Sequence, residues 1–350
     1  MRSEDLLPKS KGVRLETTSQ IAGLFARNLH ELGAIAGEVK QKRFGTKVFW
    51  VNNRHINYTN ICQGSCAFCR FRRRPSDSDA YSLTVEQLLE TVSDAVARGV
   101  CEVHLVGGLN ASLDLDYYLS LIRTLRKHFS DLFIKAFTAV EIDFISQRSD
   151  QSPAVVLAHL QEAGLNCLAG GGAEIFADRV RRAVCPTKLD ADRWLEIHRT
   201  AHRLGLASNA TMLFGHMETL NERADHLLRL RNLQDETNGF LSFLPLPVVD
   251  FDARTLNGLS ALKTLAVSRL VLDNFPHIKV FWPIWTLKLA QLALSYGADD
   301  LDGTVGQYKI VESDRSENVI TPEIVQQVVR QAGFEPVERR GDYCIPANGG

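Results

Sequence analysis

Three cysteines, Cys62, Cys66 and Cys69, stand at a Cys-x3-Cys-x2-Cys spacing in Cys62-Gln63-Gly64-Ser65-Cys66-Ala67-Phe68-Cys69. Three thiolates on one tight loop hold three irons of a cubane [4Fe–4S] cluster, whereas a cluster held by protein alone normally takes four cysteines. The spacing therefore predicts one open iron. A small chelating ligand suits that iron, and the amino and carboxylate groups of S-adenosylmethionine are the natural candidate. Structural zinc prefers two paired ligand knuckles, and no second Cys or His pair of that kind is visible. Seven cysteines in 350 residues are sparse and odd in number, which argues against a disulfide framework. Cys101, Cys167 and Cys185 lack ligand spacing and read as small core residues.

Other polar and glycine-rich phrases accompany the cysteines. Gly107-Gly108 follows Val103-His104-Leu105-Val106 and leaves backbone bare where a charged group can approach, or else forms an ordinary tight turn. Gly170-Gly171-Gly172 before Ala173-Glu174 is more specific, because three glycines in a row are costly to order. Glu174 reads either as a ribose hydrogen-bond partner or as a cap on the next helix. Arg181, in that helix, suits a carboxylate, while Arg179 and Arg182 read as solvated. Thr138, Glu141 and Met212 stand at further strand ends and are expected at the cofactor. His216 is expected to face the same cavity. Arg70, Arg72, Arg73 and Arg74 read chiefly as a solvated loop, with one of them a candidate for an anionic substrate.

The elements that must position these residues alternate regularly. Helical periodicity marks residues 21–36, and residues 47–51 read as a short strand. The first core strand is expected at 56–59, followed by strands at 101–106, 132–138, 166–170, 207–213, 240–244, 278–281 and 299–302. Helices are expected at 84–98, 114–128, 153–163, 190–204, 219–234, 260–272 and 285–295, with Thr84 and Gln87 as a capping pair. Such alternation predicts an α/β fold, a (β/α)8-type, TIM-like barrel, closed or nearly closed, whose chemistry collects at the C-terminal ends of the strands. The polar motifs fall at those ends. The expected organisation is an N-terminal helical segment over 1–46, the barrel over 47–311 and a C-terminal extension over 312–350. In the extension a helix is expected at 321–332 and a strand-like end at Tyr343-Cys344-Ile345.

Composition sets the broad class. Hydrophobic residues are 45% and charged residues 23%, ordinary for a globular chain. A formal net charge of -1 offers no global attraction to nucleic acid or a membrane surface, so a small-molecule partner is expected. The charged start Met1-Arg2-Ser3-Glu4-Asp5 has no apolar run behind it, and no apolar stretch approaches the roughly 18 residues of a membrane span. A cytoplasmic location is the expectation, and its reducing conditions suit free thiolates.

The cysteine loop, with Phe68 just before the last ligand, resembles the signature of the radical S-adenosylmethionine enzymes. Within that class, "HINYTNIC", "FIKAFTAVEI", "GGGAEIF", "ATMLFGHMET", "HIKVFW" and "GADDLDGTV" together resemble the aminofutalosine synthases of the futalosine route to menaquinone, over about residues 50–306. The resemblance implies that Cys62, Cys66 and Cys69 hold the cluster, and that Phe68, Gly107, Gly108 and Gly171 lie at the cofactor. It also implies a 5′-deoxyadenosyl radical that adds to 3-[(1-carboxyvinyl)oxy]benzoate, with rearrangement and decarboxylation, and an electron donor such as flavodoxin or ferredoxin. Two carboxylates on that substrate call for cationic or donor groups near strand ends, and Asn57, His216, Lys279 and Thr304 are the candidates. The chain departs from the family pattern at Asn110-Ala111, Val248-Val249-Asp250-Phe251 and Gly306-Gln307-Tyr308. Two alternatives stay open. One is a relative that abstracts hydrogen, like the dehypoxanthine futalosine cyclase or the deazaflavin-chromophore synthase, and the other is a non-catalytic metal-binding module.

Overall fold

The computed structural model describes residues 14–248, 257–305 and 320–345. Its strands are β1 (Lys47–Val51), β2 (Asn53–Asn57), β3 (Glu102–Val106), β4 (Phe133–Thr138), β5 (Cys167–Ala169), β6 (Ala207–Phe214), β7 (Phe240–Pro247), β8 (His277–Ile278), β9 (Asp300–Gly303) and β10 (Glu335–Glu338). The first helices are α1 (Thr18–Leu24), α2 (Leu29–Phe44), α3 (Val85–Val96), α4 (Leu115–His128), α5 (Ala139–Ser149) and α6 (Pro153–Ala163). After them come α7 (Asp178–Val184), α8 (Ala191–Arg203), α9 (Leu220–Thr237), α10 (Gly258–Val271), α11 (Trp282–Trp285), α12 (Leu287–Ala293) and α13 (Pro322–Gln331).

Strands β2 to β8 form one parallel sheet in chain order. The ring continues through β9: the Val280 amide donates to Asp300 O at 2.8 Å and the Asp299 amide to Ile278 O at 3.1 Å. It returns to β2 where the His55 amide donates to Val305 O at 2.8 Å. The result is the expected (β/α)8-type barrel, with β1 lying beside it between β9 and β10. Strand β10 belongs to the C-terminal stretch, which thereby pairs with the strand that precedes the barrel. Just past β10, the fully buried Arg339 donates to Asp300 at 2.6 Å and lies 3.7 Å from Glu102, which plugs the base of the barrel with charge.

The helices form because their apolar positions recur on one face and their ends are capped. In α3 the Thr84 hydroxyl accepts from the Gln87 amide while the Gln87 side chain returns to the Thr84 amide, and Leu88, Val92 and Ala95 face the sheet. Burying such an aliphatic side chain stabilises by about 1.5–3 kcal/mol, so the helix layer is held by packing more than by propensity.

Several boundaries differ from expectation for local reasons. The first core strand is Asn53–Asn57, earlier than 56–59, because Tyr58 to Asn60 already turn into the cysteine loop. The N-terminal periodicity divides into α1 and α2, with Asn28 capping the second. Residues 139–149, unassigned from the sequence, form α5 because Thr138 and Glu141 make a capping box. The helix expected at 285–295 splits at Thr286, whose φ is 65°. At the C-terminus the strand is Glu335–Glu338, and Tyr343 sits in a turn closed by its amide on Arg340 O. No helix among the described residues is long and apolar enough to cross a membrane.

Candidate active site

The barrel encloses a cavity of about 320 Å³ that opens at the C-terminal ends of the strands. Strand alternation selects the side chains that reach it: His55 and Asn57 of β2, His104 of β3, Asn209, Thr211 and Leu213 of β6. Residues one step away, such as Val103, Leu105 and Met212, are buried in the layer shared with the helices. Met212, expected at the cofactor, is therefore corrected to a core residue.

The three loop thiols, Cys62, Cys66 and Cys69, are free, partly exposed and open on this one cavity. Their loop is pinned from three sides: the Cys62 amide donates to Arg73 O at 3.1 Å, Gln63 to Leu109 O at 3.1 Å and Ala67 to Val184 O at 2.8 Å. At Gly108 an added Cβ would stand 2.2 Å from Ile61 O, so the close seat of this loop on the strand end requires glycine. The Gly64 amide donates to Cys62 Sγ at 3.3 Å, which fixes the direction of that sulfur within the loop. Burial pushes the Cys66 thiol up to about 11, with Lys188 acting in the opposite direction. Among the described residues no three His, Cys, Asp or Glu side chains converge as they would on a single metal ion. A cubane instead spreads its thiolates over separate corners, and three thiols opening on one cavity fit it better than they fit zinc.

Glu141 lines the cavity but is committed to the scaffold. It accepts from the Tyr58 hydroxyl at 2.6 Å, the Gly107 amide at 3.0 Å, the Thr138 amide at 2.7 Å and the Thr138 hydroxyl at 2.8 Å. Burial raises its pKa against the pull of those donors. Thr138, also on the wall, is the N-cap of α5. Gly171 lines the cavity, and its carbonyl accepts from Trp194 Nε1 at 3.1 Å. At Gly170 a Cβ would meet Asn209 O at 2.5 Å, so the glycine run first serves the approach of β6.

Glu174 lies on the cavity wall with φ 46° and is ion-paired to Lys188, itself on the wall. The helix-cap reading falls, because the N-cap of α7 is Ala177. Burial opposes the charge of Lys188, yet Glu174 outweighs it and raises the lysine's pKa. The Lys188 ammonium also stands 5.4 Å from the centre of the Phe68 ring. Arg181 is corrected: its buried guanidinium donates to Ala173 O at 2.5 Å and to the carbonyls of Gly172, Ile175 and Leu189, and it does not line the cavity. Lys188 is the cation on that wall.

Asn57 and Lys279 line the cavity, whereas His216 and Thr304 do not. His216 turns to Leu213 O at 3.0 Å and to Glu218 at 3.3 Å, held there by the turn after β6. Thr304 accepts from the Asn53 amide at 3.1 Å and donates within the Asn52–Asn53 pair, fastening β9 to β2. Asn110 is buried and donates to Ser82 Oγ at 2.8 Å, a structural use. Of the other two departures, Val248 lines the cavity and donates to Phe214 O at 2.7 Å, while residues 249–251 and 306–308 lie outside the described residues.

Lys188, His55, His104, Lys135 and Asp302 also line the cavity, and sequence reasoning passed over them. A signal does exist in Val103-His104-Leu105 and Ile134-Lys135-Ala136, where one polar residue interrupts an apolar strand.

Comparison with known proteins adds kinship to this geometry. Residues 56–230 match the radical SAM superfamily and residues 237–347 the CofH/MqnC C-terminal region. The chain is 42% identical over 344 residues to the aminodeoxyfutalosine synthase of Thermus thermophilus, covering 95% of this chain and 92% of the relative. It is 40% identical over 363 residues to the Streptomyces coelicolor protein of the same name, covering 99% and 92%. It is also 35% identical over 352 residues to the 5-amino-6-(D-ribitylamino)uracil–L-tyrosine 4-hydroxyphenyl transferase of Methanothermobacter thermautotrophicus, covering 97% and 96%. Among solved structures, a methylornithine synthase superposes with TM-score 0.74 at 18% identity, over 95% of this chain and 96% of that one, a likeness of fold.

Proposed function

We propose, for a chain that belongs to the radical SAM superfamily and carries the CofH/MqnC C-terminal region, the activity of an aminodeoxyfutalosine synthase. A [4Fe–4S] cluster and S-adenosylmethionine, when bound, supply the 5′-deoxyadenosyl radical that in this reading adds to the vinyl carbon of 3-[(1-carboxyvinyl)oxy]benzoate, ahead of rearrangement and loss of the carboxyl group. The observation that carries the reading is likeness of 40–42% over nearly the whole chain to two enzymes of that name, in a molecule whose three loop thiols open on one cavity.

In this reading Cys62, Cys66 and Cys69 hold the cluster. Lys188 offers its ammonium to the methionine carboxylate, and Glu174 both orients Lys188 and accepts from a ribose hydroxyl. Phe68, Gly107, Gly108 and Gly171 form the wall along the cofactor. The apolar side chains Leu244, Leu246, Phe281 and Ile284 keep water from the reacting centre. A pathway to menaquinone and a flavodoxin or ferredoxin donor complete the proposal.

A second reading follows the 35% identity to a tyrosine 4-hydroxyphenyl transferase. The fate of adenosine separates the two. Reconstituted protein, given reductant, S-adenosylmethionine and the aryl enol ether, is expected to yield an adduct that contains adenosine, seen by mass spectrometry. In a parallel reaction supplied with L-tyrosine in place of the enol ether, free 5′-deoxyadenosine together with consumption of the tyrosine would overturn the assignment.

A further inference from the structure

We propose that the floor of the cavity is an anion subsite, built on Lys279, Lys135 and His104, that takes an aryl carboxylate of the substrate. The proposal rests on the reading above for the identity of that substrate. His104 and Lys135 are register partners on adjacent strands. His104 lies two residues before the end of β3 and Lys135 three before the end of β4, about 7–10 Å below the strand ends at roughly 3.3 Å per residue.

The donors are present and unspent. Lys279 is 2% exposed, and among the described residues its Nζ has one hydrogen-bond partner, Asp302 Oδ1 at 3.1 Å. Lys135 is 3% exposed, and its Nζ has Glu102 Oε1 at 2.7 Å. An ammonium carries three donors, so each lysine keeps donors beyond its carboxylate partner, and both residues line the cavity. Among the described residues His104 Nε2 is buried without a hydrogen-bond partner, although its ring lines the cavity. A buried polar atom left unmatched is costly, and a carboxylate oxygen would match it.

Charge points the same way. Burial pulls the pKa of Lys279 down, and although Asp302 counters this, Arg339 and Lys135 press it further. An incoming anion would join Asp302 in holding the Lys279 ammonium charged against its burial. Asp302 is held at φ 65°, a conformation an ordinary side chain avoids, and so presents its carboxylate to Lys279. Beside this floor the wall of Leu244, Leu246, Phe281 and Ile284 is apolar. An apolar wall above a donor-rich floor matches an aromatic ring bearing a carboxylate.

The probes are 3-hydroxybenzoate and its uncharged amide, 3-hydroxybenzamide, titrated into the reconstituted protein by calorimetry. Wild type is expected to bind the acid at least tenfold better than the amide. Lys279→Met alone would strand Asp302 as a buried unpaired carboxylate, so the variant to use is the charge-balanced pair Lys279→Met with Asp302→Asn. That pair is expected to lose the preference for acid while keeping iron content, melting temperature and S-adenosylmethionine affinity, and Lys279→Arg is expected to retain part of it. An unchanged acid-to-amide ratio in the folded pair variant, or no preference in wild type, would overturn the subsite. Failure of the parent reading appears elsewhere, in the adenosine-adduct assay, which uses neither probe.

Discussion

Glu174 holds a left-handed backbone conformation, φ 46°, that costs a non-glycine residue about 1–2 kcal/mol. What this conformation secures is a carboxylate against Lys188 on the wall beside the thiol loop. Removing either partner leaves a buried charge unmatched. Lys188→Met is expected to cost about 3 kcal/mol of stability and to weaken S-adenosylmethionine binding by about 1.5–3 kcal/mol, the worth of a hydrogen bond to a charged group. Glu174→Gln is expected to weaken binding by a similar amount with a smaller loss of stability. Both should keep their iron, whereas Cys66→Ala should lose it. Calorimetric titration beside melting curves and iron analysis checks all three, and unchanged cofactor affinity in both wall variants would remove the pair from the binding site.

At the scale of elements, the N-terminus of α5 acts as a joint. One carboxylate, Glu141, caps α5 through Thr138 and ties in the end of β3 through the Gly107 amide and the residue after β2 through the Tyr58 hydroxyl. All four of its partners donate, so a glutamine here would turn an N–H toward donors. Glu141→Gln is therefore expected to destabilise by about 2–4 kcal/mol, a charged acceptor lost inside. Thr138→Ala should cost about 1 kcal/mol, as for an ordinary N-cap. Urea denaturation of the two variants gives the comparison. Equal losses would reduce Glu141 to a helix cap and nothing more.

At the scale of the whole molecule, closing the barrel inside a helix layer buries imidazoles that must stay neutral. Burial lowers His55 to about 4, His202 to about 4 and His226 to about 3. In the unfolded chain each titrates near 6.5, so below that pH the unfolded state binds more protons than the folded one. Stability should be fully present above pH 6.5 and fall as pH drops towards 4, by about 1.4 kcal/mol per pH unit for each such histidine. Denaturation of the iron-free chain between pH 7 and pH 5 measures the slope. His226→Gln should make it shallower, and an unaltered slope in that variant would assign the acid sensitivity to other groups.

The sequence by itself determined what depends on near neighbours along the chain. Cys62, Cys66 and Cys69 are legible because all three ligands sit on one loop, and the strand–helix alternation is legible because each period is local. Capping at Thr84 could be read the same way. Only the tertiary structure decided which face of each strand is the inside. A period of two separates Met212 from Thr211 and Leu213 but does not say which of the two sets meets the cavity until eight strands close around it. The same closure chooses Lys188 over Arg181, since Arg181 finds four carbonyls in the loops before and after α7 while Lys188 finds Glu174 on the cavity wall. It also brings His104, Lys135, Lys279 and Asp302 to one floor from strands far apart in sequence, a meeting that no local pattern encodes, because side-chain direction in a barrel is a property of the ring rather than of any one strand.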